Sequence, residues 1–142
     1  MDIRVEVNPA CSDYRALVSL FVRSGWGWEE QYAEDHGEWW PKGSNDIIVV
    51  LAWSEENRLV GYARALTDQD SVTWLAEILV DPDCRKLGIG TRLMNEIVAR
   101  TRHTAFYTNI FTGTEDFFKK FSLIPRPMLV AVSRKPMPEA SP

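Results

Sequence analysis

Ile3-Arg-Val-Glu-Val alternates apolar and polar side chains with period two, which predicts an opening strand. Tyr14, Leu17, Val18, Phe21 and Val22 then recur at helical spacing behind Ser12 as N-cap, which predicts a helix over 13–23 that stops near Ser24-Gly25. Glu29 to about Asp35 reads as a short second helix, and Pro41-Lys-Gly-Ser-Asn as a turn. Three strand-like runs follow at 46–53, 59–66 and 72–80, joined by Ser54-Glu-Glu-Asn-Arg and Thr67-Asp-Gln-Asp-Ser. Beyond Asp81-Pro82-Asp83 the period changes again. Ile89, Leu93, Ile97 and Val98 fit a helix from about 90 to 102. A strand over 104–111, an amphipathic helix over 114–121 carrying Phe117, Phe118 and Phe121, and a last strand over 128–132 complete the series. The order β-α-α-β-β-β-α-β-α-β predicts one α+β domain over 1–134 with a mixed sheet, and a frayed tail over 135–142.

Composition narrows the class. A chain of 142 residues, 45% hydrophobic and 25% charged, has the size and balance of one domain with a core. The longest apolar run, 47–53, is far short of the roughly 18 residues of a membrane span. The amino terminus has no basic region followed by an apolar one, so no secretory signal is expected. Two cysteines, Cys11 and Cys84, make no disulfide framework, and no Cys/His spacing suggests a metal. The expectation is a reduced, cytoplasmic protein with no metal and no membrane partner.

Charge adds a second layer. The net value of -4 divides unevenly, since residues 1–83 hold 16 acids and 6 bases while 84–142 hold 4 acids and 10 bases. Such a split reflects either two differently charged partners or plain solubility. The overall acidity, with no basic-aromatic stripe, argues against nucleic acid.

The stretch richest in chemistry is Leu79-Val-Asp-Pro-Asp-Cys-Arg-Lys-Leu-Gly-Ile-Gly-Thr-Arg-Leu-Met. A strand ends at Val80, and Arg85-Lys-Leu-Gly-Ile-Gly leads into a helix. Gly88 and Gly90 allow a tight turn and close backbone approach. Unpaired amides at a helix start favour an anion, and Arg85 and Lys86 add formal charge. A dinucleotide fingerprint needs a third glycine where Leu93 stands, and the Gly-Lys-Ser/Thr of a Walker loop is absent. From the residues alone, this is a phosphate or pyrophosphate cradle or an ordinary glycine-rich turn.

The segment resembles the acetyl-CoA-binding motif of the GNAT superfamily of N-acetyltransferases, Arg/Gln-x-x-Gly-x-Gly/Ala. Here it stands as Arg85-Lys-Leu-Gly88-Ile-Gly90, preceded by Leu79-Val-Asp-Pro, and Leu59-Val-Gly-Tyr-Ala-Arg matches the usual third strand. The resemblance implies a GNAT-like mixed sheet of six to seven strands with about four helices, splayed between strands 4 and 5. Pantetheine would lie in that slot against backbone groups at Leu79 and Val80. The pyrophosphate would sit on the loop Lys86, Leu87, Gly88, Ile89, Gly90 and Thr91, with Arg85 beside it. Acetyl-CoA is then the cosubstrate and an amine, small or on a protein, the acceptor. The family often dimerises.

Acetyl transfer to an amine raises two proton problems. Glu77, a mid-strand acid among apolar neighbours, is the candidate base, or else a carboxylate paired with Arg64 or facing solvent. The family's tyrosine acid, in a Phe-Tyr-x-Lys-x-Gly-Phe run, is replaced here in Phe117-Phe118-Lys119-Lys120-Phe121, so Phe118 becomes a wall of the CoA slot. Tyr107 is the substitute acid, or water suffices. The replacement also admits a second class of function, a catalytically weak CoA-binding sensor or interaction module. The resemblance implies an acceptor site in this region, among Trp26, Trp28, Glu30, Glu34 and Trp74, and carboxylates with aromatic faces suit a cationic amine. Core tryptophans beside a solvated acidic helix are the other reading of that region. Cys84 has no paired histidine nearby in sequence and is not a nucleophile candidate. His103 suits a helix C-terminus.

Overall fold

The computed structural model describes residues 2–10, 13–27 and 44–138. The chain divides into two compact units, 1–108 and 109–142. In the first, β1 (Arg4–Val7), α1 (Tyr14–Arg23), β2 (Ile47–Trp53), β3 (Leu59–Thr67), β4 (Val72–Val80), a 3₁₀ turn (Pro82–Cys84), α2 (Ile89–Thr101) and β5 (Ala105–Thr108) follow in chain order. The strands lie in the sheet in the same order. The first three pairings are antiparallel and β4–β5 is parallel, with α2 as the crossover.

Strand alternation divides the core between the two faces. Leu17, Leu20 and Phe21 of α1 pack with Val49, Leu51, Trp53, Leu59, Tyr62 and Leu79 on one face. On the other, Ile89 and Leu93 of α2 lie close over Gly61 and Ala52. α1 begins because the Asp13 carboxylate accepts from the Ala16 amide, so Asp13, not the expected Ser12, caps the helix.

Gly61 is where α2 approaches the sheet. A Cβ there would lie 2.8 Å from Ile89 Cγ2, 3.1 Å from Ala52 Cβ and 3.2 Å from Leu93 Cδ1. The Ile89 methyl sits on a β-branched carbon and yields little. Gly61→Ala is therefore expected to destabilise the protein by about 1–3 kcal/mol through overpacking, read from urea denaturation. Unchanged stability would mean that α2 sits further from β3.

The β3–β4 hairpin closes on Asp68, whose carboxylate accepts from the Ser71 hydroxyl and the amides of Asp70, Ser71 and Val72. These donors hold its carboxyl well below the usual range, the Ser71 hydroxyl contributing most.

The second unit holds α3 (Glu115–Lys119). The Phe117 ring meets Phe118 at 5.0 Å and Phe121 at 5.5 Å, and Phe118 is buried. The strand expected over 128–132 does not form. Met128, Leu129, Val130 and Val132 are 71–95% exposed, and the one backbone bond there is a turn from the Leu129 amide to the Arg126 carbonyl. A helix satisfies its own backbone, whereas a strand needs a neighbour, which side-chain periodicity does not report. The described residues therefore give five strands and three α-helices. The helix expected at 29–35 lies outside them.

Candidate active site

A bulge sets the geometry of β4. Its pairing with β3 runs Thr67↔Thr73, Leu66↔Trp74 and Ala65↔Leu75, then skips Ala76 and resumes at Arg64↔Glu77 and Tyr62↔Leu79. An extra residue in one strand turns every later side chain to the opposite face. In regular alternation, Glu77 would point with Thr73 and Leu75 into the α2 side of the core. The bulge places it instead on the α1 face, shared with Tyr62, Arg64, Leu66 and Trp74. Tyr107 of β5, register partner of Trp74, shares that face and is exposed.

On that face, Arg64 Nε donates to Glu77 Oε2 at 2.8 Å, Arg64 Nη2 donates to Oε1 at 2.5 Å, and the Tyr62 hydroxyl donates to Oε2 at 3.2 Å. The pair is partly open, with 30% of the Arg64 side chain and 25% of Glu77 accessible. Burial, and then Glu77, push the Tyr62 hydroxyl far above its ordinary range, so it stays a donor. Burial works against the Arg64 charge and is the largest single influence, but the bond to Glu77 and the charge interactions with Tyr62 and Glu77 together outweigh it and raise its pKa.

The open edge of β4 comes next. Its pairing with β5 ends at Leu75↔Thr108, while β4 continues to Val80. Residues 76–80 therefore have no strand on that side among the described residues. Because the Asp81 amide donates to the Val60 carbonyl, the antiparallel alternation turns the N–H and C=O of Ile78 and Val80 toward this open side.

The loop then reaches α2. Lys86 (φ 65°) and Gly88 (φ 81°) both adopt the left-handed conformation. A Cβ on Gly88 would meet nothing within 4 Å, so the glycine answers a backbone requirement and not a spatial one. Gly88 caps α2 without a side-chain bond, and the first helical bond runs from the Arg92 amide to the Gly88 carbonyl. Among the described residues, the amides of 88–91 have no protein acceptor. Arg85, Lys86 and Leu87 are exposed beside them. Free amides, two cations and an open strand edge fit the pyrophosphate and the amide-bearing arm of acetyl-CoA. Arg92 is tied back, its Nη1 donating to the Ile3 carbonyl at 2.7 Å.

Sequence reasoning missed the support beneath this loop. The Asp81 side chain, only 1% exposed, meets Arg23 at 2.9 Å and Arg58 at 3.0 Å, and its Oδ1 accepts from the Asp83 amide. Arg23 also donates to the Leu59 carbonyl. One carboxylate thus joins the end of α1, the start of β3 and the exit of β4. Burial opposes its charge, but the Asp83 amide and the arginines prevail and hold the carboxyl below its ordinary range. The capping role was legible in Asp81-Pro82-Asp83. The arginines, 58 and 23 positions away, carried no sequence signal.

Of the other expected site residues, Trp26 packs on the α1 core with its ring 5.5 Å from Phe21. Trp74 is partly exposed on β4. Trp28, Glu30 and Glu34 lie outside the described residues, and Phe118 belongs to the second unit. Cys84 is buried, and burial raises its thiol pKa, which suits a core residue and not a nucleophile. His103 Nε2 lies 2.8 Å from the Gln69 carbonyl. Among the described residues no group of three or more His, Cys, Asp or Glu is placed to hold a metal. No described helix is long and apolar enough to cross a membrane.

The bulged fourth strand, its open edge and the glycine turn into α2 together form the candidate site. Residues 13–120 match the model of the acetyltransferase (GNAT) family, and the chain belongs to that family. It is 28% identical over 90 residues to an uncharacterized N-acetyltransferase of Pyropia yezoensis, covering 61% of this chain and 52% of the relative. The chain thus spans about half the length of the curated relatives it matches. Among solved structures, a GNAT-family acetyltransferase from Streptococcus pneumoniae is similar with TM-score 0.66 and 17% identity, over 94% of this chain and all of that one. AAC(6')-Iy in complex with the bisubstrate analog CoA-S-monomethyl-acetylneamine is similar with TM-score 0.69 and 13% identity, over 96% of this chain and all of that one.

Proposed function

We propose that the chain is an N-acetyltransferase that moves acetyl from acetyl-CoA to a primary amine by direct attack in a ternary complex. The observation that carries this reading is the run of amides at 88–91 without protein acceptors, beside the open β4 edge at Ile78 and Val80. The pyrophosphate binds the amides with Arg85 and Lys86, and the pantetheine arm bonds the backbone at Val80 and Ile78; the Leu79 groups expected for this role face β3 instead. Glu77 takes a proton from the acceptor ammonium, through water, and leaves a neutral amine. The amine nitrogen attacks the thioester carbonyl, the C–N bond forms, the nitrogen gives up its second proton to water, and the C–S bond breaks. A thiol of ordinary pKa near 8.5 leaves readily as thiolate and takes a proton from water or Tyr107.

The acceptor is a small cationic amine. The acid excess of residues 1–83 and the aromatic side chains Trp26, Trp28 and Trp74 support that choice, with Glu30 and Glu34 supplying negative charge. The structural neighbour AAC(6')-Iy, which holds an analog joining CoA to acetylneamine, is consistent with it.

Two measurements test the reading. In an amine panel, acetyl-CoA consumption with at least one cationic amine is expected. Tight CoA binding without turnover on any amine would favour the sensor reading that Phe118 suggests. Gly90→Glu is the binding test, because glutamate near a helix N-terminus is compatible with the helix but sets a carboxylate where the phosphates belong. Calorimetry is expected to show affinity for acetyl-CoA reduced by about 100-fold, with an unchanged melting temperature. Unaltered binding would remove the loop assignment.

A further inference from the structure

Glu77 can accept at about four lone-pair positions, two on each oxygen. Arg64 Nε and the Tyr62 hydroxyl occupy both on Oε2, and Arg64 Nη2 occupies one on Oε1. One position on Oε1 is left. The carboxylate cannot rotate to present another, because the planar guanidinium holds both oxygens at once. Arg64 is itself fixed by register, directly across the ladder from Glu77. Tyr62 is held by the core, its ring 5.4 Å from Phe21. On β3, β4 and β5, Tyr62, Leu66, Trp74, Leu79 and Tyr107 share this face with Glu77 and Arg64, and Arg64 is the formal cation these three strands bring there.

We propose that Arg64 is the positioning residue of the Glu77 base, holding the carboxylate so that a single lone pair of Oε1 faces the acceptor amine or its relay water. The inference rests on the reading of Glu77 as base and deepens it. The base works through one oxygen in one orientation, so the acceptor nitrogen is deprotonated from a fixed direction. A point charge in place of the fork would keep the charge but lose the orientation. Tyr62 completes the clamp by filling Oε2.

The test compares Arg64→Lys, Arg64→Gln, Glu77→Gln and the double variant Glu77→Gln/Arg64→Gln, with a turned-over amine as acceptor. Arg64→Gln is expected to lower kcat about 10- to 100-fold, since misplaced catalytic groups lose about that much. Arg64→Lys is expected to recover only part of the loss. The KM for acetyl-CoA should remain constant in both. The double variant is expected to be no slower than Glu77→Gln alone, because the two residues act as one unit. Wild-type kcat in both Arg64 variants overturns the positioning role while leaving the base standing. Multiplying losses in the double variant do the same, by showing that Arg64 acts independently. Wild-type kcat in Glu77→Gln overturns the base itself, and the positioning role with it. Should Arg64→Gln fail to fold, Arg64→Lys and Tyr62→Phe decide the matter, with a several-fold loss of kcat expected in each and wild-type rates in both overturning the proposal.

Discussion

Replacing Glu77 by glutamine is expected to lower kcat by about 10²–10⁴-fold, the range attributed to a positioned general base. Glutamine keeps the shape and still offers one oxygen to the Arg64 fork, but it takes no proton from an ammonium. Its amide nitrogen is a donor facing another donor, so the pair loosens locally. The site is partly open, with a quarter of the Glu77 side chain accessible, so the fold tolerates the change. Affinity for acetyl-CoA is expected to stay within about twofold, because Glu77 lies apart in sequence from the loop at 86–91. The separation of kcat from cosubstrate affinity is the signature sought in steady-state kinetics and calorimetry. Tyr107→Phe is expected to show no comparable loss. Equal rates for Glu77→Gln and wild type at every pH would remove Glu77 as the base.

Asp81→Asn carries the largest expected change in stability. It leaves Arg23 and Arg58 facing a neutral amide whose nitrogen is itself a donor. Breaking a buried charge pair by neutralising one partner typically costs about 3–5 kcal/mol. For a chain of this size that corresponds to roughly 10–17 °C in melting temperature. The pH dependence follows from the sign of the shift. The Asp81 carboxyl is held below its ordinary range in the folded state. Its contribution is therefore fully present above the unfolded value near 4, and is lost as pH falls through the depressed one. Urea denaturation should show the full gap between wild type and Asp81→Asn at pH 7. Below about pH 4 the gap should narrow as the wild-type carboxylate protonates. A gap of under about 0.5 kcal/mol at pH 7 would place the strength of this junction elsewhere. Because Asp81 opens the loop, the variant should also bind acetyl-CoA more weakly.

The sequence by itself determined what local periodicity and local chemistry can specify. The strand-like runs at 46–53, 59–66 and 72–80 become β2, β3 and β4, and the first two are almost continuously apolar because these central strands are buried on both faces. The 3.6-residue recurrence of Ile89, Leu93 and Ile97 becomes α2, and all three are buried. Arg85-Lys-Leu-Gly88-Ile-Gly90 announced a turn into that helix, because Gly88 needs the left-handed backbone and glycine adopts it freely.

Tertiary structure decided what depends on distant partners. No periodicity announces that Ala76 is bulged, yet that one extra residue moves Glu77 from the α2 side of the sheet to the face of Arg64. Asp81 finds Arg23 and Arg58 only after α1, β3 and β4 have packed together. Residues 128–132 read as a strand but form none, because an apolar run describes side chains while a strand exists only through the backbone groups of a neighbour. The sequence therefore carried the elements and the phosphate-facing turn, which are local. The register that aims the carboxylate, and the buried ion cluster beneath the loop, are pairings between distant residues that only the folded chain brings within reach.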